Sequence, residues 1–236
     1  MLWFMLLSCV MGVTTEEDQT IISFEQTKAA HYVDSSNALK SSVRLAAYNK
    51  EGEEVAHGSG NYFKIGRHKF ILTAAHNITE DTTLEVADGY RSYKTYPVVV
   101  DTLRDIAILI PEVDLKRSKA VEYKTNAGEL DLGQVVTYTG YPADLGKSLF
   151  TGTIANDQIN IMMMQSFALP GSSGSVVFDT KGRAVAIISA LRLGMYEFSP
   201  FPQMHPTLVY CQKLRDYDRF SIRGIIERWK KSRSEP

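Results

Sequence analysis

With only two cysteines in 236 residues, Cys9 and Cys211, the chain has too few for a disulfide framework, and the fold must hold by packing. Neither sign of charge prevails. The 26 Lys and Arg face 27 Asp and Glu, which removes the broad basic field that nucleic-acid binding needs. The five histidines (His31, His57, His68, His76 and His205) show no metal-ligand spacing, so neither metal nor cofactor is expected. Solenoid repeats and low-complexity tracts are lacking. So is an apolar run of the roughly 20 residues that span a bilayer. What is present is a hydrophobic fraction of 44%, enough to bury a core.

The longest apolar stretch, Met1–Val13, lacks the Lys or Arg that opens a secretory signal, although Val10-x-Gly12 would pass as a cleavage site. Leu6-Leu-Ser-Cys9 superficially resembles a lipid-attachment box, but few residues precede it. Two readings stay open: an export or membrane-attachment segment, or a strand or helix buried on the body. The first implies an exported or membrane-associated protein, the second a cytoplasmic or virus-encoded one.

Residues 14–39 are polar and read as a lead-in. Beyond them, short apolar runs alternate with Gly and Asn turns about every ten residues, the signature of an all-β barrel or sandwich. Val43–Tyr48, Val55–Gly60, Tyr62–Ile65, Phe70–Ala75, Thr83–Val86, Tyr96–Val100 and Ile106–Ile110 form a first set. Val135–Tyr138, Leu149–Ala155, Ile159–Met164, Ser175–Phe178 and Val185–Ala190 form a second. The polar connection Asp114–Asn126 separates them, so two barrels are expected, over residues 40–116 and 117–200. In the extension 201–236, Ile222, Ile225, Ile226 and Trp229 recur at helical spacing and predict a helix over 221–231. Lys230–Arg233 read as its solvated end.

Three segments carry chemistry. His76 ends the apolar run Phe70-Ile-Leu-Thr-Ala-Ala, whose small alanines let the chain turn and set an imidazole at a cleft edge. Asp105 opens the apolar strand Ile106–Leu109, where a carboxylate is costly unless hydrogen-bonded, as by an imidazole Nδ1–H. Asp101 is its local rival. Gly171-Ser-Ser-Gly-Ser175 precedes the apolar Val176-Val-Phe178, and its glycines allow a tight turn that aims successive N–H groups at one point. Each segment alone has a bland explanation: a structural histidine, a capping aspartate, a surface loop. The fixed order His, Asp, Ser, each beside an apolar strand, points to nucleophilic acyl transfer.

On these segments the chain resembles the chymotrypsin-like (trypsin-like) serine peptidases, most closely the compact, disulfide-free HtrA/DegP branch. Thr73-Ala-Ala-His76, Asp105-Ile-Ala-Ile-Leu109 and Gly171-Ser-Ser-Gly-Ser175 match the family's three motifs. Gly58-Ser-Gly60, Gly140-Tyr-Pro142 and Gly152-Thr-Ile154 add to the likeness, which runs over about residues 40–192. The resemblance implies two six-stranded antiparallel Greek-key barrels with a C-terminal α-helix, and a protein or peptide substrate. It implies Ser173 as nucleophile, His76 as base and then acid, Asp105 as its orienting partner, and the N–H groups of Gly171 and Ser173 as the oxyanion hole.

Two departures stand out: Ser172 replaces the usual Asp or Asn, and Ser175 replaces a Gly. Only Ser173, among the three serines, is followed by Gly in register. The resemblance further puts Phe167 at the pocket floor and Ser189, Ala190 and Leu191 on its wall. None is acidic, which favours small or apolar residues before the cleaved bond over Lys or Arg. The 45 residues beyond Leu191 are too few for the PDZ module of that branch. A catalytically silent scaffold of the same fold is the alternative. An esterase fits less well, since a Gly-x-Ser-x-Gly elbow is lacking and the His precedes the Ser.

Overall fold

Apolar alternation along short segments produces thirteen strands among the described residues of the computed structural model. It describes residues 35–79, 81–126, 128, 130–143, 145–194 and 203–234; of 190–194, 203–206 and 234 it describes the backbone alone. The expectations for Met1–Val13 and for most of the lead-in lie outside these residues.

A short helix, α1 (Ser36–Ser41), leads into β1 (Ser42–Tyr48), β2 (Glu54–Ile65), β3 (His68–Thr73), β4 (Thr83–Asp88), β5 (Arg91–Asp101) and β6 (Ile106–Pro111). Antiparallel pairing runs β1-β4-β5-β6-β3-β2, and β1 pairs again with β2, closing a six-stranded barrel. The two runs expected at Val55–Gly60 and Tyr62–Ile65 are one strand, continuous through Asn61. A short strand, β7 (Val121–Glu122), adds in parallel to β2. The second barrel comprises β8 (Val135–Gly140), β9 (Ser148–Asp157), β10 (Ile161–Gln165), β11 (Val176–Asp179), β12 (Ala184–Gly194) and β13 (Gln203–Lys213), in the closed order β10-β13-β12-β11-β8-β9. The two-barrel expectation holds.

Strand β13 falls in what the sequence pattern leaves as an extension. It closes the second barrel because Val209 and Cys211 alternate inward, both fully buried, and pair with β10 and β12. The C-terminal helix α2 spans Arg219–Ser234, longer at both ends than 221–231. Asp218 Oδ1 accepts the Ser221 N–H at 2.7 Å and caps it.

One apolar cluster joins the two barrels to the helix. Phe63, Phe70, Ile106 and Ile108 come from the first barrel, Val176, Phe178 and Ile187 from the second, and Ile222 and Ile226 from α2. Phe63 is its hub, with ring centroids 5.1 Å from Tyr123 and 6.0 Å from Phe178. Each barrel also keeps its own interior: Val43, Leu45, Tyr62, Ile71, Val86 and Leu109 in the first, Val136, Tyr138, Ile154, Met162, Met164 and Val185 in the second. The packed seam between the barrels is where the motifs meet.

Candidate active site

His76 lies in a 3₁₀ turn, Ala75–Asn77, directly after β3, and the buried Ala74 and Ala75 allow that turn to sit tightly on the core. Asp105, one residue before β6, has φ +51°. This left-handed conformation is uncommon outside glycine, though aspartate tolerates it better than most. The carboxylate grips the histidine twice: Oδ1 accepts the His76 backbone N–H at 2.9 Å, and Oδ2 lies 2.8 Å from the ring Nδ1. The Ser189 hydroxyl donates to the same Oδ2. Burial pushes the Asp105 pKa up, but the hydrogen bonds from the His76 ring, Ser189 and the His76 N–H prevail and hold it below the ordinary carboxylate value. A carboxylate so placed fixes the ring with Nδ1 protonated and Nε2 carrying the lone pair. Asp101, the rival, is engaged elsewhere: it accepts the Tyr217 hydroxyl at 2.7 Å and the Arg104 N–H at 3.0 Å.

The serine turn is held by its carbonyls. Pro170 O accepts the Ala143 N–H at 2.7 Å, and Ser172 O accepts the Ser175 N–H at 3.0 Å. In a trans peptide the N–H points opposite to the C=O. The N–H groups of Gly171 and Ser173 are therefore turned away from Ala143 and Ser175 respectively, and neither donates to any described residue. Gly171 has φ +92°, and a Cβ there would lie 2.5 Å from Tyr141 O and 2.8 Å from His57 Nε2, so the position demands glycine.

Buried polar residues on β2, together with the half-buried Asn77 of the 3₁₀ turn, lock the serine turn to the first barrel. Ser59 is fully buried. Its N–H donates to Ser173 O at 2.8 Å, and its hydroxyl donates to Gly171 O at 2.6 Å while accepting the Tyr141 N–H at 2.8 Å. Asn61 Oδ1 accepts the Val176 N–H at 2.8 Å. Asn77 Nδ2 donates to Ser173 O at 3.0 Å and to Thr73 Oγ1 at 2.9 Å. Ser59, Asn61 and Asn77 are site residues that the motifs do not reveal; Gly58-Ser-Gly60 was the one signal near them.

The two departures from the family motif are accommodated in space, although the buried Ser175 hydroxyl has no hydrogen-bond partner among the described residues. Ser172 is buried and its hydroxyl accepts the Leu169 N–H at 3.3 Å within the turn. Ser175 fills space that Gly140 leaves, since a Cβ on Gly140 would lie 2.2 Å from Ser175 Oγ.

His76, Gly171 and Ser173 line one cleft of about 250 Å³, together with Leu45, Ala56 and His57. Three of the expected residues thus meet there, and Asp105 joins through His76. The ring of His76 makes no hydrogen bond to the Ser173 hydroxyl. Ser189, expected on the pocket wall, spends its hydroxyl on Asp105. Phe167 is 42% exposed, with its ring centroid 5.9 Å from that of Phe150 and its carbonyl accepting the Tyr138 hydroxyl. Ala190 and Leu191 lie on β12, and their side chains are outside the described residues.

A family model described as the trypsin-like peptidase domain matches residues 58–187. No curated protein sequence matches. Among solved structures, the serine endoprotease from Yersinia pestis is similar with a TM-score of 0.62 at 22% identity. The alignment covers 82% of this chain and 65% of that protein, so the chain spans less than two thirds of its length.

Proposed function

Since the chain belongs to the trypsin-like peptidase domain family, we propose that it is a serine endopeptidase working through an acyl-enzyme. Ser173 Oγ attacks the substrate carbonyl carbon while His76 Nε2 takes the hydroxyl proton; His76 then returns that proton to the departing amine. Water, activated by the same imidazole, releases the acyl group and restores Ser173. Asp105 keeps the ring in its tautomer and stabilises the imidazolium. The N–H groups of Gly171 and Ser173 receive the oxyanion, usually the largest electrostatic contribution in such chemistry. The observation that carries this reading is the doubly gripped His76–Asp105 pair opening onto the cleft that Ser173 lines. Phe167 and the absence of an acid at the expected pocket positions support cleavage after small or apolar residues.

The competing reading, a silent scaffold, draws on the missing bond between the ring and the Ser173 hydroxyl. Catalytic hydrogen bonds are commonly long before substrate closes them, so that gap does not favour the scaffold. Labelling with a fluorophosphonate separates the two. The expected result is one adduct on Ser173, lost in Ser173→Ala and His76→Ala. A folded chain that takes no label is the scaffold.

A further inference from the structure

The turn that delivers Asp105 is held from a distance. Residues 102–104 join β5 to Asp105 in a tight hairpin, since Asp101 still pairs with Ile106. Thr102 and Leu103 give it no packing: both are exposed, Leu103 to 96%. Asp105 itself, at φ +51°, is in a conformation that residues other than glycine keep only when their surroundings impose it. The turn must therefore be fixed on the side away from His76 as well.

Among the described residues, two side-chain tethers reach the turn from outside, and both come from the connection 214–218 between β13 and α2. The Tyr217 hydroxyl donates to Asp101 Oδ2 at 2.7 Å, while Asp101 Oδ1 accepts the Arg104 N–H at 3.0 Å. Asp101 thus spans the turn with one oxygen and grips the connection with the other. Arg104 Nη1 reaches Asp216 Oδ2 at 2.6 Å, an exposed ion pair that is weak by itself. The connection is well anchored. The Leu214 N–H donates to Val185 O at 3.1 Å, the Tyr217 N–H to Leu214 O at 3.1 Å, and Tyr217 O accepts the hydroxyl of the fully buried Tyr123 at 2.6 Å. The Tyr217 ring is buried in the cluster that joins the barrels to α2. Burial and the bond to Asp101 raise the Tyr217 pKa, so the hydroxyl keeps its proton and donates.

We propose that Tyr217 is a positioning residue for the His76–Asp105 pair: its hydroxyl, acting through Asp101, fixes the turn that aims the Asp105 carboxylate at the imidazole. An element beyond the second barrel thereby sets the geometry of a carboxylate carried by the first. The consequence for turnover rests on the peptidase reading; the consequence for the imidazole proton does not.

The test reads that proton. Held between His76 Nδ1 and the Asp105 carboxylate, it resonates far downfield in the proton NMR spectrum and exchanges slowly with water; its loss in His76→Gln identifies it. Tyr217→Phe removes the hydroxyl and leaves the ring in its core, so the fold survives. The expected result is a signal broadened or lost through exchange. With it, kcat falls about tenfold and KM stays within about twofold, inside the roughly 10²-fold that a remote misplacement can cost. Asp101→Asn, with one acceptor oxygen for two donors, should act alike. The double variant should lose no more than the worse single one, because one bond is at stake. Thr95→Val is the control: it deletes another buried hydroxyl bond of the first barrel, to Leu84 O at 2.9 Å, and should lower Tm without moving the signal or kcat. An inactive unaltered chain refutes the peptidase reading and leaves the positioning role to be decided by the spectrum. A Tyr217→Phe chain with the wild-type signal and exchange rate overturns the inference. So does an unaltered chain without the signal, an active Tyr217→Phe enzyme with unchanged kcat, additive losses in the double variant, or a control that loses the signal equally.

Discussion

Replacing Ser59 by Ala removes a single oxygen from the seam between the barrels, and the structure gives the size of the effect. That oxygen is fully buried and serves two backbone groups of the second barrel, the Tyr141 N–H at 2.8 Å and the Gly171 carbonyl at 2.6 Å. Each group left unpaired costs about 1–3 kcal/mol. Partial relaxation keeps the sum near 2–4 kcal/mol, against a total stability of roughly 5–15 kcal/mol, so the protein stays folded. For a chain of this size that corresponds to a fall in Tm of roughly 5–12 °C. The second consequence is chemical. The Gly171 carbonyl loses its anchor, so the turn that aims the Gly171 and Ser173 N–H groups loosens. Loss of one oxyanion donor costs about 10²–10³ in kcat. The assay is steady-state hydrolysis of a peptide anilide well below the variant's Tm, with kcat and KM resolved separately. We expect kcat to fall about 100-fold with KM changed only a few-fold, since the hydroxyl does not touch substrate. A Ser59→Ala protein with lowered Tm and wild-type kcat would refute the reasoning.

Three further outcomes are expected. Asp105→Asn should slow turnover by on the order of 10⁴ without loss of fold, as circular dichroism and single-turnover kinetics would show, because the ring then takes the wrong tautomer. Gly174→Ala should destabilise by more than about 3 kcal/mol in urea unfolding, since its φ is +89° and the new Cβ would lie 2.1 Å from the Ser59 carbonyl oxygen. Burial, assisted by the Lys230, Arg67 and Arg223 charges and opposed by Glu227, lowers the pKa of His68 under α2. Its unfolded form therefore binds a proton more readily, so stability is complete above about pH 6.5 and declines as pH falls through that value toward the lower folded pKa. Urea unfolding between pH 7.5 and 5 should show that decline, and His68→Gln should flatten it; an unchanged slope would contradict the assignment.

The strands that carry His76, Asp105 and the serine turn were legible because each motif adjoins an apolar run, and burial periodicity is a local property. The pairing of His76 with Asp105 could be anticipated for the same reason: a carboxylate opening a buried strand needs a donor. Strand β13 was missed because Pro202 and Pro206 break the pattern around it and its inward residues are few. The polar groups of Ser59, Asn61 and Asn77 were signalled by nothing beyond Gly58-Ser-Gly60. Their partners across the seam are 82 to 115 residues away, and a small polar residue looks the same in sequence whether it faces solvent or a distant carbonyl. Ser189 shows the same limit. The resemblance placed it beside the substrate, and only its neighbours in space reveal that it braces Asp105.

The apolar cluster shared by both barrels and α2 has a thermodynamic corollary. Neither half can shed its partner without exposing Phe63, Phe178 and Ile222 together to water. Heating should accordingly yield a single calorimetric endotherm for residues 35–234, and either half expressed by itself should precipitate.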